Sequence, residues 1–173
     1  MVKNKTTPFM GVSGDCGVVT QNGLRKASDV RVGDKILTSE NTYDRVSSII
    51  STGEKKQSVI KMTVPLIEEP FSSFVYMSKN TNIVGILGQK SRIEDISAVD
   101  FTKNDFVYLP SEVTQRSPTL HHKLRGDSII QTDNGVCVPI SGVIQTMKTV
   151  NLFSFETESN SFVAGGVTVS TDF

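Results

Sequence analysis

A nucleophile beside a proton carrier is the least that acyl-transfer chemistry requires, and few side chains in this sequence offer either. The thiols are Cys16 and Cys137, and the histidines are the adjacent pair His121 and His122. Ser13 and Ser78 add hydroxyls, and Thr81 another that cannot titrate near neutral pH. Cys16 follows Gly14-Asp15 where a strand begins, so as a nucleophile it would need a base and oxyanion donors of its own. The competing reading is a small buried core residue, the common fate of a free cysteine. Far apart and in no ligand spacing, the two cysteines imply neither a disulfide framework nor a zinc site. His121 and His122 follow a Ser-Pro loop and read as solvent-exposed, against a catalytic or metal-binding alternative. Glu54-Lys55-Lys56 reads as a solvated turn and Glu68-Glu69, before Pro70, as a loop. No phosphate-binding glycine loop, zinc-protease helix or nucleophile elbow is present. The expectation is therefore no cofactor, no metal and no small-molecule substrate.

The bulk numbers bound the rest. A chain of 173 residues suits one domain with a proper core. Its 18 basic side chains balance 18 acidic ones, so the electrostatic footprint of a nucleic-acid binder is missing at whole-chain level. No apolar run is long enough to cross a bilayer, and MVKNKTTPFM lacks the apolar centre of a signal peptide. The chain is expected to be soluble and not secreted by a signal peptide, cytoplasmic or virion-associated, without a membrane partner.

Stepping along the sequence, short β-branched or aromatic runs alternate with Gly, Asn, Asp and Pro, the pattern of an all-β domain. The runs cover residues 17–20, 35–38, 46–51, 59–64, 74–77, 106–109, 136–139 and 152–155. Asn22-Gly23 predicts a two-residue I′ hairpin turn, and Asn134-Gly135 a second. Helical spacing appears only weakly, around Ile93 to Val99, so few or no long helices are expected.

An internal repeat organises these runs. Residues 27–37, ASDVRVGDKIL, align without a gap onto residues 98–108, AVDFTKNDFVY. Ala27 matches Ala98, Asp29 matches Asp100 and Asp34 matches Asp105. Gly33 matches Asn104, the two residue types that most readily take a left-handed turn. A weaker echo links residues 49–64 with 143–157. Two copies are too few for a solenoid, so a pseudo-two-fold domain with a single core is expected.

Residues 11–38, GVSGDCGVVTQNGLRKASDVRVGDKILT, resemble the opening of inteins and hedgehog-type autoprocessing domains, the Hint family. Residues 45–64 are similar to that family's next strands, residues 93–110 to the segment closing the first half of a mini-intein, and VNLFSFETESNSFVAGGVTVST to its terminal motif. The resemblance runs from Gly11 nearly to the end, weakest over residues 111–135. It implies an all-β, horseshoe-shaped, pseudo-two-fold domain over residues 11–173, preceded by an arm, residues 1–10.

The same resemblance supplies a set of catalytic positions. The family's first residue is a Cys or Ser that attacks the preceding carbonyl; here it is Gly11. About seventy residues on, a Thr-x-x-His pair polarises the scissile amide and donates a proton; here the register gives Ser78 and Thr81. A literal Thr119-Leu120-His121-His122 comes some forty residues too late. The terminal His-Asn falls on Ser170 and Thr171, and Thr cannot cyclise. The family's upstream acid and histidine fall near Leu152 and Asn160, and its acceptor nucleophile on Asp172. The resemblance thus implies a domain that has lost its chemistry, with Cys16 as a fallback nucleophile. The ten residues before Gly11 and the two after Thr171 leave almost no host protein to splice, so a free-standing protein is expected.

Three functions follow as expectations. The first is a structural or adaptor module in a larger protein assembly; free-standing relatives in bacteriophage genomes point by analogy to a virion, neck or tail component. Its arm, with Phe9 and Met10 as apolar anchors and Pro8 restricting the backbone, would order on a partner, against the reading of a frayed terminus. The second is residual self-cleavage through Cys16, Ser13 or Ser78. The third is a peptide-binding domain that reuses the cleft through Ser78, Thr81 and Ser170.

Overall fold

The computed structural model describes residues 9–64, 74–88, 92–103, 105–116 and 130–171. The chain is all-β, with one short α-helix, α1 (Ser111–Arg116), among the described residues. A six-stranded antiparallel sheet runs in the order β14 (Gly142–Val150), β7 (Lys55–Thr63), β8 (Phe74–Ser78), β1 (Val12–Ser13), β15 (Leu152–Glu156), β6 (Ser48–Ser51). The second sheet runs β12 (Ile130–Gln131), β13 (Gly135–Pro139), β11 (Phe106–Pro110), β9 (Asn82–Ile86), β17 (Val167–Ser170), β16 (Ser161–Ala164), β2 (Gly17–Thr20), β4 (Lys35–Leu37), β5 (Tyr43–Arg45). Two more strands extend it: β10 (Glu94–Ser97) on β9 and β3 (Gly23–Lys26) on β2. Inward-facing apolar residues of both sheets share one core, in which Phe155 and Phe162 meet edge to face at 5.1 Å and which also holds Ile36, Met62, Met77 and Ile83.

The repeat read from the sequence is a repeat of structure. Each copy enters a 3-10 turn, Ala27–Asp29 or Ala98–Asp100, closed by matching bonds from Val30 N to Ala27 O and from Phe101 N to Ala98 O, both 3.3 Å. Asp34 then accepts from the Arg31 amide at 2.9 Å, and Asp105 from the Thr102 amide at 2.7 Å. A short aspartate carboxylate caps the turn in both copies, which is why Asp recurs there. Gly33 takes φ +97, as its place in the repeat requires; Asn104 lies outside the described residues. The two-fold maps β6 onto β14 and β7 onto β15, so the β6·β15 ladder becomes the β14·β7 ladder, while β1 pairs with its own counterpart β8. The β16–β17 hairpin bridges the halves, β16 pairing with β2 and β17 with β9.

The two hairpin-turn expectations are corrected. In the first hairpin Thr20 pairs with Gly23, so the loop is Gln21-Asn22, and neither has the positive φ of an I′ turn. Gly23, at φ +110, follows the turn and absorbs the twist there. Gly135 is not left-handed; a Cβ on it would collide with the Leu109 carbonyl, so glycine is needed for close approach to β11. As expected, no long helix forms at the weak helical spacing of residues 93–99, where β10 is followed by the second 3-10 turn. The run read at 59–64 belongs to a longer strand, β7, whose exposed start at Lys55 and Lys56 carried no apolar signal.

Candidate functional site

The site forms where the chain enters β1. Strand β8 ends at Ser78, a turn closed by Thr81 N to Ser78 O at 3.0 Å follows, and β9 begins at Asn82. Because β1 lies beside β8, with Val12 opposite Met77, residues 9–11 run directly along that turn. Ser78 N donates to Gly11 O at 3.1 Å. Gly11 N donates to Thr81 Oγ1 at 3.0 Å, Thr81 Oγ1 and Ser78 Oγ lie 2.7 Å apart, and Ser78 Oγ donates to Phe9 O at 2.6 Å. One proton per hydroxyl fixes the direction: Ser78 spends its proton on Phe9 O, so Thr81 donates to Ser78. A longer contact of 3.3 Å links Thr81 Oγ1 to Gly11 O. The result is a one-way relay from the Gly11 amide through two hydroxyls to the Phe9 carbonyl, buried where such chains reinforce one another.

Gly11 itself is buried and enclosed. A Cβ there would collide with the Phe153 carbonyl oxygen and lie 2.5 Å from Cε2 of Phe9. Met10 is buried, and Phe9 packs against Val59, Val150 and Leu152 beside Tyr76. The two anchors expected to reach a partner are thus occupied by the domain itself; Pro8 lies outside the described residues.

Cys16 belongs to the core. It is 6% exposed, and burial, with the Asp15 carboxylate next, pushes its thiol pKa far above the ordinary range. The structure thus shows the buried core residue that was the competing reading to a fallback nucleophile. Ser13 Oγ is bonded to Asp15 Oδ1 at 2.8 Å. Cys137 is also buried, its pKa pushed up to about 11 by desolvation.

The terminal positions gather one ladder step away. Ser170 pairs with Asn82, the residue after Thr81, and its hydroxyl donates to Asp95 Oδ2 at 2.8 Å. Thr171 N donates to the carbonyl of Asn160, a left-handed turn residue at φ 55, at 2.8 Å. Leu152 is core, against Phe9. The structure therefore brings Gly11, Ser78 and Thr81 into direct contact, sets Ser170 beside Thr81's neighbour, and joins Asn160 to Thr171 through the backbone alone. Thr119, His121, His122 and Asp172 lie outside the described residues. Sequence reasoning missed the Phe153 carbonyl and Asp95, since neither a backbone oxygen nor a single carboxylate distant in sequence leaves a pattern to read. Among the described residues no three His, Cys, Asp or Glu side chains cluster to hold a metal ion, and no helix is long and apolar enough to cross a membrane.

No family model matches the chain, and no curated protein matches it in sequence. Solved structures do. A variant of the Ssp DnaB mini-intein superposes with a TM-score of 0.67 at 15% identity, covering 95% of this chain and 100% of that one. The DnaB intein from Synechocystis sp. PCC 6803 gives 0.66 at 12% identity, covering 95% and 100%. A bacterial intein-like domain from Clostridium thermocellum gives 0.62 at 11% identity, covering 95% and 99%. With the two-fold exchange of strands and matched lengths, these likenesses establish that this chain carries the all-β, Hint-type fold of the inteins.

Proposed function

We propose that the chain is a non-catalytic Hint-fold protein that serves as a structural or adaptor module in a larger assembly. The observation that carries this reading is the enclosure of Gly11. The family's attacking position holds no side chain, and the space a nucleophile would need is filled by the Phe153 carbonyl and the Phe9 ring. The neighbouring hydroxyls support it: Thr81 accepts from the amide nitrogen that the family's histidine would protonate, and Ser78 is committed to the Phe9 carbonyl. The former cleft works as a clasp on the chain's own backbone. Fold and function are separable in this way when a scaffold outlives its site. A virion, neck or tail assembly is the home suggested by analogy with free-standing members of that family in bacteriophage genomes.

The test is intact-mass spectrometry of the purified chain after a day near neutral pH, with and without a thiol. A mass that stays at 18.9 kDa supports the reading. Fragments ending within residues 10–16 or at 171 overturn it and return residual self-cleavage to the front. The peptide-binding alternative has the occupied cleft against it, since an incoming peptide must displace residues 9–11 from Ser78 and Thr81. Saturable binding of a peptide spanning residues 5–11 to the intact chain would favour it.

A further inference from the structure

The edges of the two sheets are not alike. Strands β12 and β5 have two and three residues, and β6, β3 and β10 have four each, short enough to offer little to an incoming strand. The remaining edge, β14, has nine, and among the described residues no strand lies beyond it. It contains no proline, and two of its apolar side chains are open to solvent, Ile144 at 60% and Met147 at 56%. Its one charge does not guard it: Lys148 Nζ reaches back across β7 to lie 4.7 Å from the centre of the Tyr76 ring, away from the open side.

We propose that β14 is the seam of a symmetric dimer, two copies of the chain pairing β14 against β14 antiparallel to join their sheets. The occupant is argued from the strand itself. Its midpoint is Thr146, and an antiparallel pairing about Thr146 uses every residue from Gly142 to Val150. In that register Ile144 lies beside the aliphatic stem of Lys148 from the second copy, Met147 beside Gln145, and Thr146 beside itself, a favourable pair. No like charges face each other. The two Lys148 residues stand four residues apart along the strand, about 13 Å, beyond the roughly 8 Å screening length of physiological salt. Both exposed apolar side chains gain cover, and the self-complementary contact closes on itself as a two-fold interface must. The inference is independent of whether the Gly11 site is active.

The experiment is analytical ultracentrifugation of the full chain over a concentration series, with cross-linking variants. A species of twice 18.9 kDa is expected to grow with concentration. Ile144→Lys sets an ammonium opposite Lys148 of the second copy and should weaken the dimer roughly tenfold or more. Thr146→Cys should give a disulfide-linked dimer under mild oxidation. Gln145→Cys should not, because its own copy lies on the diagonal at about 7–8 Å, outside disulfide reach. A monomer at every concentration, a dimer indifferent to Ile144→Lys, or equal cross-linking of both cysteine variants each overturns the proposal.

Discussion

The turns Ser13–Cys16 and Ser78–Thr81 occupy equivalent places in the two halves and share one backbone. Cys16 N bonds Ser13 O at 3.1 Å, and Thr81 N bonds Ser78 O at 3.0 Å. Ala27 N reaches Cys16 O and Ala98 N reaches Thr81 O, both at 2.8 Å; Ser28 N finds Gly14 O as Val99 N finds Lys79 O. Their side chains part company. Cys16 faces Gly165 in the core cluster that includes Val75, whereas Thr81 meets the backbone of the entering chain. Symmetry dictates the path of the main chain, and what lies against it dictates the chemistry. A thiol suits the apolar side; a hydroxyl that can accept and donate suits the side where a buried amide needs a partner.

The largest effect is expected from filling the glycines beside the two turns. At Gly165, φ +62, a Cβ would stand 2.6 Å from Cys16 Sγ and 2.8 Å from Val75 Cβ, with rigid core on every side. Gly165→Ala should cost about 3 kcal/mol, overpacking added to a left-handed alanine. Gly11→Ala meets the Phe153 carbonyl at least as closely but is spared the left-handed strain and has the Phe9 ring, a side chain, as its second neighbour, so about 1–2 kcal/mol is expected. Urea midpoints compare the two, and equal losses would break the distinction between a rigid side and a yielding one. Gly11→Cys should likewise lower stability while the mass stays whole.

The capping aspartates come next. Asp105 is buried and accepts from Gly88 N at 2.6 Å, Thr102 N at 2.7 Å and Thr102 Oγ1 at 3.2 Å. Asp34 is half-exposed, with the Arg31 amide at 2.9 Å and the Arg25 guanidinium at 3.7 Å. Asp105→Ala leaves buried donors unmet and should cost roughly 2–3 kcal/mol; Asp34→Ala, whose donors turn to water, about 0.5–1 kcal/mol. Near-equal thermal shifts would mean that burial does not separate the copies.

How much of this was legible follows from where each signal resides. The paired aspartates and the strand at residues 17–20 could be read because a local motif repeats or an apolar run stands between turn residues. The meeting of Gly11 with Ser78 and Thr81 was legible through the resemblance, which carries long-range register that propensity cannot. The enclosure of Gly11 was not, since it depends on the carbonyl of Phe153 from the other end of the chain. Strand β14 was missed because six consecutive residues, 144–149, are exposed, so no buried face imposed the alternation by which strands are recognised. The Asn-Gly dipeptides were read too literally: the same pair serves a turn exit at Gly23 and close backbone approach at Gly135.

Exchange of the turn side chains gives a smaller effect. Thr81→Val keeps the shape and removes the acceptor of a buried amide, and should cost about 1–2 kcal/mol, with faster hydrogen exchange at Gly11. Cys16→Val, apolar for apolar, should cost under about 1.5 kcal/mol and leave that exchange unchanged. Protection at the Gly11 amide is the sharper readout, since a merely structural loss would not single it out.

The last effect vanishes at neutral pH. Burial raises the thiol pKa of both cysteines, from 9.0 to about 11 for Cys137 and further for Cys16. Above pH 9 the unfolded thiols ionise while the folded ones keep their protons, so the unfolded state binds fewer protons and stability falls as pH rises. The contribution is intact below pH 9, and that of Cys137 is exhausted once pH passes about 11. Thr81, the counterpart of Cys16, has no such term. Cys16→Ala should therefore flatten the decline in urea midpoint between about pH 8 and about pH 10, although it lowers the midpoint at both. An unchanged slope would mean that the Cys16 thiol ionises as readily folded as unfolded, and the contrast between an apolar turn and a polar one would then lose its clearest electrostatic sign.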